Sequence, residues 1–274
     1  MACAGPPPAS PAADRQLDYV ALGDSFAANP GVPDRAQPAE CHRSTNDYPS
    51  VLAHRLQATT FTDVTCTGAT TEDITDHDQR TMRGTVQRQI DAVRESTNLI
   101  TITIGANDVG LAADADGCEV KGSNPAPCSD DFVVDNVDRV SVAIDGYTHG
   151  WSMLVDQLRA KAPHARVVLV GYGTLVRPGG CPGEQPILPK DSDYLQARLD
   201  ELDDRQRLLA AEKGIEYFDT RPMTRGHDIC APRGERYVAG YEVKDPAVPM
   251  HPTASGAAAV GNTLAGYLRQ AGKS

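Results

Sequence analysis

The sequence lacks a long hydrophobic run and lacks an excess of basic residues. No stretch of about 18 consecutive apolar residues occurs, so we expect no membrane span. The 26 Lys and Arg residues are outnumbered by 37 Asp and Glu, which gives a formal net charge of −11. No basic cluster is large enough to offset this charge, and we therefore expect no nucleic-acid partner.

The sequence also lacks any C-x-x-C pair among its seven cysteines. A zinc site is therefore not expected, and we expect neither a metal nor another cofactor. Apart from Cys3 there are six cysteines, mostly in Gly/Pro-rich or polar segments, which favours three disulfides in an oxidising compartment over free cytosolic thiols. Six cysteines allow 15 pairings. Order and locality favour the pairs Cys41–Cys66, Cys118–Cys128 and Cys181–Cys230.

The first residues, MACAGPPPASPAADRQ, lack the apolar core of a signal peptide. Their small, Pro-rich composition predicts a flexible tail over residues 1–16, followed by a single domain over residues 17–274. Two accounts fit this tail. The chain starts near a cleavage site and is secreted, or lipid-anchored through Cys3; or it is cytosolic, which the cysteine pattern disfavours.

Strand and helix patterns alternate along the chain, which predicts an α/β fold with a parallel sheet. Apolar residues make up 40% of the sequence, enough for a sizeable core, and no internal repeat is visible. The expected strands are 18–22, 62–66, 98–104, 165–170 and 215–218. The expected helices are 47–57, 85–94, a long helix within 131–162, 192–213, and a last helix from Pro252 to about residue 270.

Four short segments fall at the end of an expected strand or beside a helix start. GDSF (23–26), CTGATT (66–71) and IGANDVG (104–110) follow the first three strands, and MHPTASG (250–256) precedes the last helix. In a parallel sheet such segments converge on one edge, where ligands bind. The sequence therefore predicts a site at this edge.

The residue types in these segments suit acyl transfer. Ser25 alone also fits an ordinary helix cap. As a nucleophile it would need a base, and His251 suits that role because the pKa of histidine lies near neutral pH. The backbone N–H groups of Ser25 and Gly68 and the side-chain amide of Asn107 are candidate donors to the oxyanion.

The four segments resemble the SGNH hydrolases, also called GDSL esterases, whose four letters correspond to Ser25, Gly68, Asn107 and His251. The resemblance runs from about residue 18 to residue 271. It implies a flavodoxin-like α/β/α sandwich with a central parallel sheet of about five strands. The loop cysteines are similar to those of secreted actinobacterial lipases and esterases of the family, which carry three disulfides.

The chain departs from the family pattern at one position. The family usually places Asp three residues before the histidine, where this sequence has Val248, and the nearest acid is Asp245. The Nδ1–H of His251 then needs another acceptor. We expect the main-chain carbonyl of Val248, which makes a dyad; Asp245 is the alternative and would make a triad.

The resemblance implies a serine esterase or lipase that hydrolyses small-molecule or lipid acyl esters through an acyl-enzyme on Ser25. An acyltransferase that moves the acyl chain to a sugar or glycerol hydroxyl would use the same site. A non-catalytic lipid- or carbohydrate-binding protein is a third interpretation. We expect a monomer.

Overall fold

The structure is a computed structural model that describes residues 16–123, 125–242 and 246–271. Its strands are β1 (Asp18–Gly23), β2 (Thr60–Asp63), β3 (Gln79–Thr81), β4 (Gly84–Val86), β5 (Leu99–Thr103), β6 (Val133–Val134), β7 (Val137–Asp138), β8 (Arg166–Val170) and β9 (Glu216–Phe218). Its α-helices are α1 (Ser25–Ala28), α2 (Tyr48–Leu56), α3 (Thr71–Thr75), α4 (Leu111–Gly117), α5 (Arg139–Lys161), α6 (Pro189–Lys213), α7 (Arg221–Thr224) and α8 (Ala254–Ala271). Short 3₁₀ helices span Ala39–Cys41, Gln89–Ala92 and Cys128–Asp131.

The main sheet has five parallel strands in the order β2-β1-β5-β8-β9. Because every strand of a parallel sheet runs the same way, their carboxyl ends share one edge. The loops after β1, β2, β5 and β8 therefore meet there. The five-stranded α/β architecture expected from the sequence is confirmed.

Helices cover both faces of the sheet, and strand β1 shows why. Its side chains alternate: Val20 and Leu22 pack in a cluster with α5, whereas Tyr19 and Ala21 pack in a cluster with α2 and α8. Both sets are almost fully buried. A short run that is apolar on both faces thus fits only a strand between two helical layers.

The strand expected at 62–66 lies earlier in the chain, at Thr60–Asp63. The register pairs Asp18 with Thr60 and Ala21 with Asp63. The apolar residues that suggested the later position serve other contacts. Cys66 leaves the sheet and forms a disulfide.

The helix expected at 85–94 is absent from the described residues. Its first part is strand β4, which pairs antiparallel with β3, and its second part is the single 3₁₀ turn Gln89–Ala92. Gly84, Thr85 and Val86 have low helix propensity, and the β-branched pair favours a strand. The long helix expected within residues 131–162 is α5, which begins at Arg139 after the hairpin of β6 and β7.

Three disulfides hold the long loops, and their pairing is the one that order and locality favour. They join Cys41 to Cys66, Cys118 to Cys128 and Cys181 to Cys230. Disulfides form and persist in oxidising compartments. Among the described helices none has the length and hydropathy to cross a membrane.

Candidate active site

Ser25 is held by the tight turn that joins β1 to α1. Gly23 has φ +141°, and a Cβ there would lie 2.4 Å from the carbonyl oxygen of Thr103. Glycine therefore lets β1 approach β5 closely at its last residue. Asp24 caps α1 by accepting a hydrogen bond from the N–H of Phe26 at 2.8 Å, and Ser25 is the first residue of that helix.

A second side chain fixes the same turn. The amide of Gln89 accepts a hydrogen bond from the N–H of Gly23 at 2.7 Å and donates one to its carbonyl at 2.9 Å. Gln89 is almost fully buried. This pair of hydrogen bonds holds Gly23, the residue directly before the Asp24–Ser25 turn.

Asp24 is buried and belongs to a chain of hydrogen bonds. Its carboxylate accepts a hydrogen bond from the hydroxyl of Tyr172, and that hydroxyl accepts one from the N–H of Ala106 at 3.0 Å. Burial raises the pKa of Asp24 to about 7, partly offset by the hydrogen bonds that Tyr172 and the N–H of Phe26 donate to its carboxylate. Asp24 thus connects the turn of Ser25 with the loop that follows β5.

His251 meets Ser25 from the other end of the chain. Its Nε2 lies 2.7 Å from the Oγ of Ser25, and its Nδ1 lies 2.7 Å from the carbonyl oxygen of Pro249. A carbonyl can only accept, so Nδ1 carries the proton and Nε2 is left to accept the hydroxyl hydrogen of Ser25. This tautomer is the one that a general base needs.

The prediction that Nδ1 bonds the Val248 carbonyl is wrong by one residue, because the acceptor is the carbonyl of Pro249. The carbonyl of Val248 accepts the main-chain N–H of His251 at 3.2 Å and closes a turn, which leaves the carbonyl of Pro249 facing the ring. Met250 takes φ +59° within this turn. The acceptor is still a main-chain carbonyl. The alternative acceptor, Asp245, lies outside the described residues.

The turn that carries His251 is held by two other segments. The N–H of Val248 donates to Pro30, the N–H of Met250 donates to Ala239, and the N–H of Ala239 donates to His251. The ring of Phe26 lies 5.7 Å from the imidazole, centroid to centroid. Burial lowers the pKa of His251 below its ordinary value of 6.5, which favours the neutral ring.

Three candidate oxyanion donors lie close to Ser25. Gly68 has φ +80°, a conformation that favours glycine, and it lines the same pocket as Ser25 and Asn107. Within the described residues, the N–H groups of Ser25 and Gly68 have no hydrogen-bond partner. The side-chain amide of Asn107 donates one hydrogen bond to the carbonyl of Ala69 at 2.9 Å, which leaves its second hydrogen.

Asp108, beside Asn107, has a structural role, because its carboxylate joins neighbouring elements. Its carboxylate accepts hydrogen bonds from the N–H and hydroxyl of Thr71 and from the indole N–H of Trp151, at 2.6–2.7 Å. It thereby joins the loop after β5 to the start of α3 and to α5. Trp151 is buried, as expected for a core residue.

An apolar pocket of about 360 Å³ opens beside Ser25. Helices α4 and α6 and the loop after β8 supply most of its wall. The side chains that define its character are Leu111, Leu175, Val176, Leu195, Leu199 and Met250. This volume lies within the range of small-molecule sites, roughly 300–1,000 Å³. The pocket suits a flexible apolar chain attached to a group that Ser25 can reach.

Sequence reasoning missed Gln89 and Tyr172. Gln89 lies in the segment that was expected to be a helix, and its contact with Gly23 spans 66 residues. Tyr172 directly follows β8 and Gly171, at the same sheet edge as the other site residues. The end of the fourth expected strand was therefore a signal available in the sequence.

A parallel α/β sandwich with a Ser–His pair at the carboxyl edge of its sheet, open to an apolar pocket, is the arrangement of a serine ester hydrolase. The chain belongs to the GDSL-like lipase/acylhydrolase family, whose model matches residues 21–259.

Several known proteins similar to this chain come from streptomycetes. It is 35% identical over 253 residues to lipase 2 of Streptomyces coelicolor, covering 88% of this chain and 82% of that protein. Two solved structures, phospholipase A1 from Streptomyces albidoflavus NA297 and the extracellular lipase of Streptomyces rimosus, each superpose with a TM-score of 0.75 at 26% identity. Each superposition covers 90% of this chain and 99% of the other. The chain is a carboxylic ester hydrolase, and these relatives favour hydrolysis over acyl transfer.

Proposed function

We propose that Ser25 and His251 form the catalytic dyad of this hydrolase and that the apolar pocket receives the acyl chain of the ester. The observation that supports this most strongly is the 2.7 Å contact between Ser25 Oγ and His251 Nε2. The tautomer set by the Pro249 carbonyl supports it as well.

The reaction proceeds in two halves. Ser25 Oγ attacks the ester carbonyl while Nε2 of His251 takes its proton, and the imidazolium returns that proton to the leaving alcohol. Water then attacks the acyl-enzyme by the same proton route and releases the acid. The Pro249 carbonyl orients the ring but carries no full negative charge, so it stabilises the imidazolium less than a carboxylate would.

The oxyanion of each tetrahedral intermediate is bound by the N–H groups of Ser25 and Gly68 and by the remaining amide hydrogen of Asn107. One such donor is typically worth about 3 kcal/mol of the barrier. The first two N–H groups have no other partner in the described residues and need not break a hydrogen bond to bind the oxyanion.

Replacing Ser25 by Ala tests the nucleophile. We expect kcat for a soluble p-nitrophenyl ester to fall by about 10⁴–10⁶ while the melting temperature stays within a few degrees. A fluorophosphonate probe should label the wild-type protein once and the variant not at all. Activity within tenfold of wild type, or labelling of the variant, would exclude Ser25 as the nucleophile.

The pocket makes a prediction about acyl chain length. Each added methylene that enters the apolar wall contributes about 0.8 kcal/mol, or about fourfold in kcat/KM. A series from acetyl to dodecanoyl esters should therefore rise and then level off when the pocket is full. A series that falls from acetyl onward would contradict this assignment of the pocket.

We propose further that the protein acts outside the cytoplasm as a monomer. The three disulfides support an oxidising location. The lipid anchor expected at Cys3 lies outside the described residues. Mass spectrometry of protein from its native membrane and culture fractions tests the anchor, and light scattering tests the monomer.

A further inference from the structure

A small hairpin projects from the protein beside the pocket. Strands β3 and β4 form it, and its two-residue turn consists of Met82 and Arg83; we call it the Met82 hairpin. Neither turn residue has a positive φ, so the turn does not require Asn, Asp or Gly. Met82 in this turn is 96% exposed. A methionine this exposed forms no part of the core.

The tip of the Met82 hairpin is ordered. The hydroxyl of Thr81 accepts a hydrogen bond from the N–H of Arg83 and donates one to the carbonyl of Gly84, both at 3.1 Å. Gly84 in turn packs beside the side chain of Glu40. The exposed methionine is therefore presented by a fixed turn.

The Met82 hairpin carries two arginines, although the exposed acids Asp76 and Asp78 directly precede it in the chain. Arg80 and Arg83 are exposed, and in the part of the chain that the structure describes their side chains form no ion pair. Burial and then the positive charges of Arg83 and Arg35 lower the pKa of His42. Glu40 is the acid that contacts the hairpin.

The hairpin lies at the edge of the active-site pocket. Gln79, its first residue, donates a hydrogen bond to the carbonyl of Thr67 at 2.9 Å, and Thr67 and Gly68 line the pocket. Met82 follows Gln79 by three residues, which is at most about 10 Å along a strand. A surface that met the tip would therefore lie near the pocket.

We propose that the Met82 hairpin docks the protein on an anionic lipid surface, with Met82 in the interface and Arg80 and Arg83 on the lipid phosphates. This rests on the proposed function and names the surface from which ester substrates would enter. Ionic screening, with a Debye length of about 8 Å at physiological ionic strength, weakens the repulsion from distant parts of this protein of net charge −11.

Vesicle sedimentation tests the proposal. The Ser25→Ala protein, which leaves the lipid intact, is mixed with vesicles of phosphatidylcholine alone or with 30% phosphatidylglycerol. We expect binding to the anionic vesicles only. Each basic residue near such a surface contributes about fivefold, so Arg80→Glu with Arg83→Glu should weaken binding by at least about 25-fold. Met82→Ser should weaken it by about tenfold.

A matched control changes charge elsewhere. Arg159→Glu with Arg225→Glu alters the net charge equally at exposed arginines outside the hairpin and should leave binding within about threefold of wild type. Equal loss in this control, equal binding to both vesicle types, or no binding at all would overturn the proposal. Melting temperatures show that each variant is folded.

Turnover separates this proposal from the proposed function. For this measurement the hairpin variants keep Ser25. They should hydrolyse a soluble short-chain ester at the wild-type rate and an ester held in anionic vesicles at least tenfold more slowly than the wild type. If the wild type failed on the soluble ester, the proposed function would be wrong, but the binding assay would still test the hairpin. Equal rates on vesicles would overturn the docking role.

Discussion

At the scale of single residues, one hydroxyl connects two of the segments that carry the candidate oxyanion donors. The hydroxyl of Tyr172 donates to the carboxylate of Asp24, which precedes Ser25, and accepts from the N–H of Ala106, which precedes Asn107. It thereby sets the separation between two candidate oxyanion donors. Tyr172 is a positioning residue in this account, because it acts through its neighbours.

Replacing Tyr172 by Phe should lower kcat about 10–100-fold and leave KM within about threefold. The reason is that misaligned oxyanion donors weaken binding of the transition state more than binding of the ester. Steady-state kinetics with a soluble ester measures the split. Tyr19→Phe is the matched control, since it removes a buried hydroxyl that bonds Thr101 at 2.7 Å, and its kcat should not change. A rise in KM at constant kcat would contradict the positioning role.

The pH profile reports on His251. Burial lowers the pKa of its imidazole below 6.5, and only the neutral ring can accept the proton of Ser25. Activity should therefore fall as pH drops through that pKa, with the half-point of kcat/KM below 6.5. Rates measured from pH 4 to 9 give the half-point. A value above 7 would show that a carboxylate supports the ring.

Asp245 provides a direct test of the dyad. The Nδ1 of His251 already has the Pro249 carbonyl as its acceptor, so Asp245→Asn should reduce kcat less than tenfold. Loss of the carboxylate from a true triad costs about 10⁴. His251→Ala, measured beside it, should be nearly inactive. A large loss in the folded Asp245 variant would mean that the catalytic unit is a triad.

The sequence predicts the site only where a motif marks it. Ser25, Gly68, Asn107 and His251 follow from short local patterns, and the structure brings them to one edge. The exact acceptor for His251 depends on how the turn before it closes, which a left-handed Met250 determines. No local pattern gives that conformation, and the error was one residue.

At the scale of elements, the disulfide between Cys41 and Cys66 supports the site as well as the fold. Cys66 stands two residues before Gly68, and the N–H of Thr67 donates to the carbonyl of Cys41 at 3.1 Å. The covalent link therefore fixes the loop that carries Gly68, one of the candidate oxyanion donors. The Cys181–Cys230 disulfide lies outside the residues that line the pocket.

Removing each disulfide should separate stability from activity. Closed loops of 25 and 49 residues are worth about 3.5 and 4 kcal/mol, roughly 10 °C in melting temperature for a chain of this size. Cys181→Ala with Cys230→Ala should lose that stability and keep kcat within threefold below its melting temperature. Cys41→Ala with Cys66→Ala should lose both stability and kcat. Equal kcat in the two double variants would argue against the supporting role of the first disulfide.

Element prediction succeeded where one face is plainly buried. Helices α2, α6 and α8 and strands β1, β5, β8 and β9 lie within a few residues of their expected bounds. The segment 85–94 failed because its apolar residues, Val86 and Ile90, have helical spacing but serve two different elements. Only pairing with the preceding Gln79–Thr81 strand decides between helix and hairpin, and that contact is tertiary.

At the scale of the whole molecule, two buried carboxyl groups make stability depend on pH. Burial raises the pKa of Asp24 and of Asp203 to about 7 from the ordinary 3.8. The folded protein then binds more protons than the unfolded chain between about pH 4 and 7. Its free energy of unfolding therefore falls as pH rises through that window.

Thermal unfolding at pH 5 and pH 8 checks this dependence. We expect the melting temperature at pH 5 to exceed that at pH 8 by at least about 5 °C. Asp203→Asn should reduce the difference by about half, whereas Asp135→Asn, in an exposed turn, should not change it. A higher melting temperature at pH 8 would contradict the direction of these shifts.

The proposed nucleophile and its proposed base are separated by 226 residues of sequence. Ser25 begins α1, shortly after β1, whereas His251 lies just before α8, which packs on α2. During synthesis the chain therefore exposes its serine long before the imidazole exists to activate it. On the proposed mechanism, a nascent polypeptide that still lacks His251 cannot turn over ester, so ester turnover reports that the segment before α8 has reached Ser25.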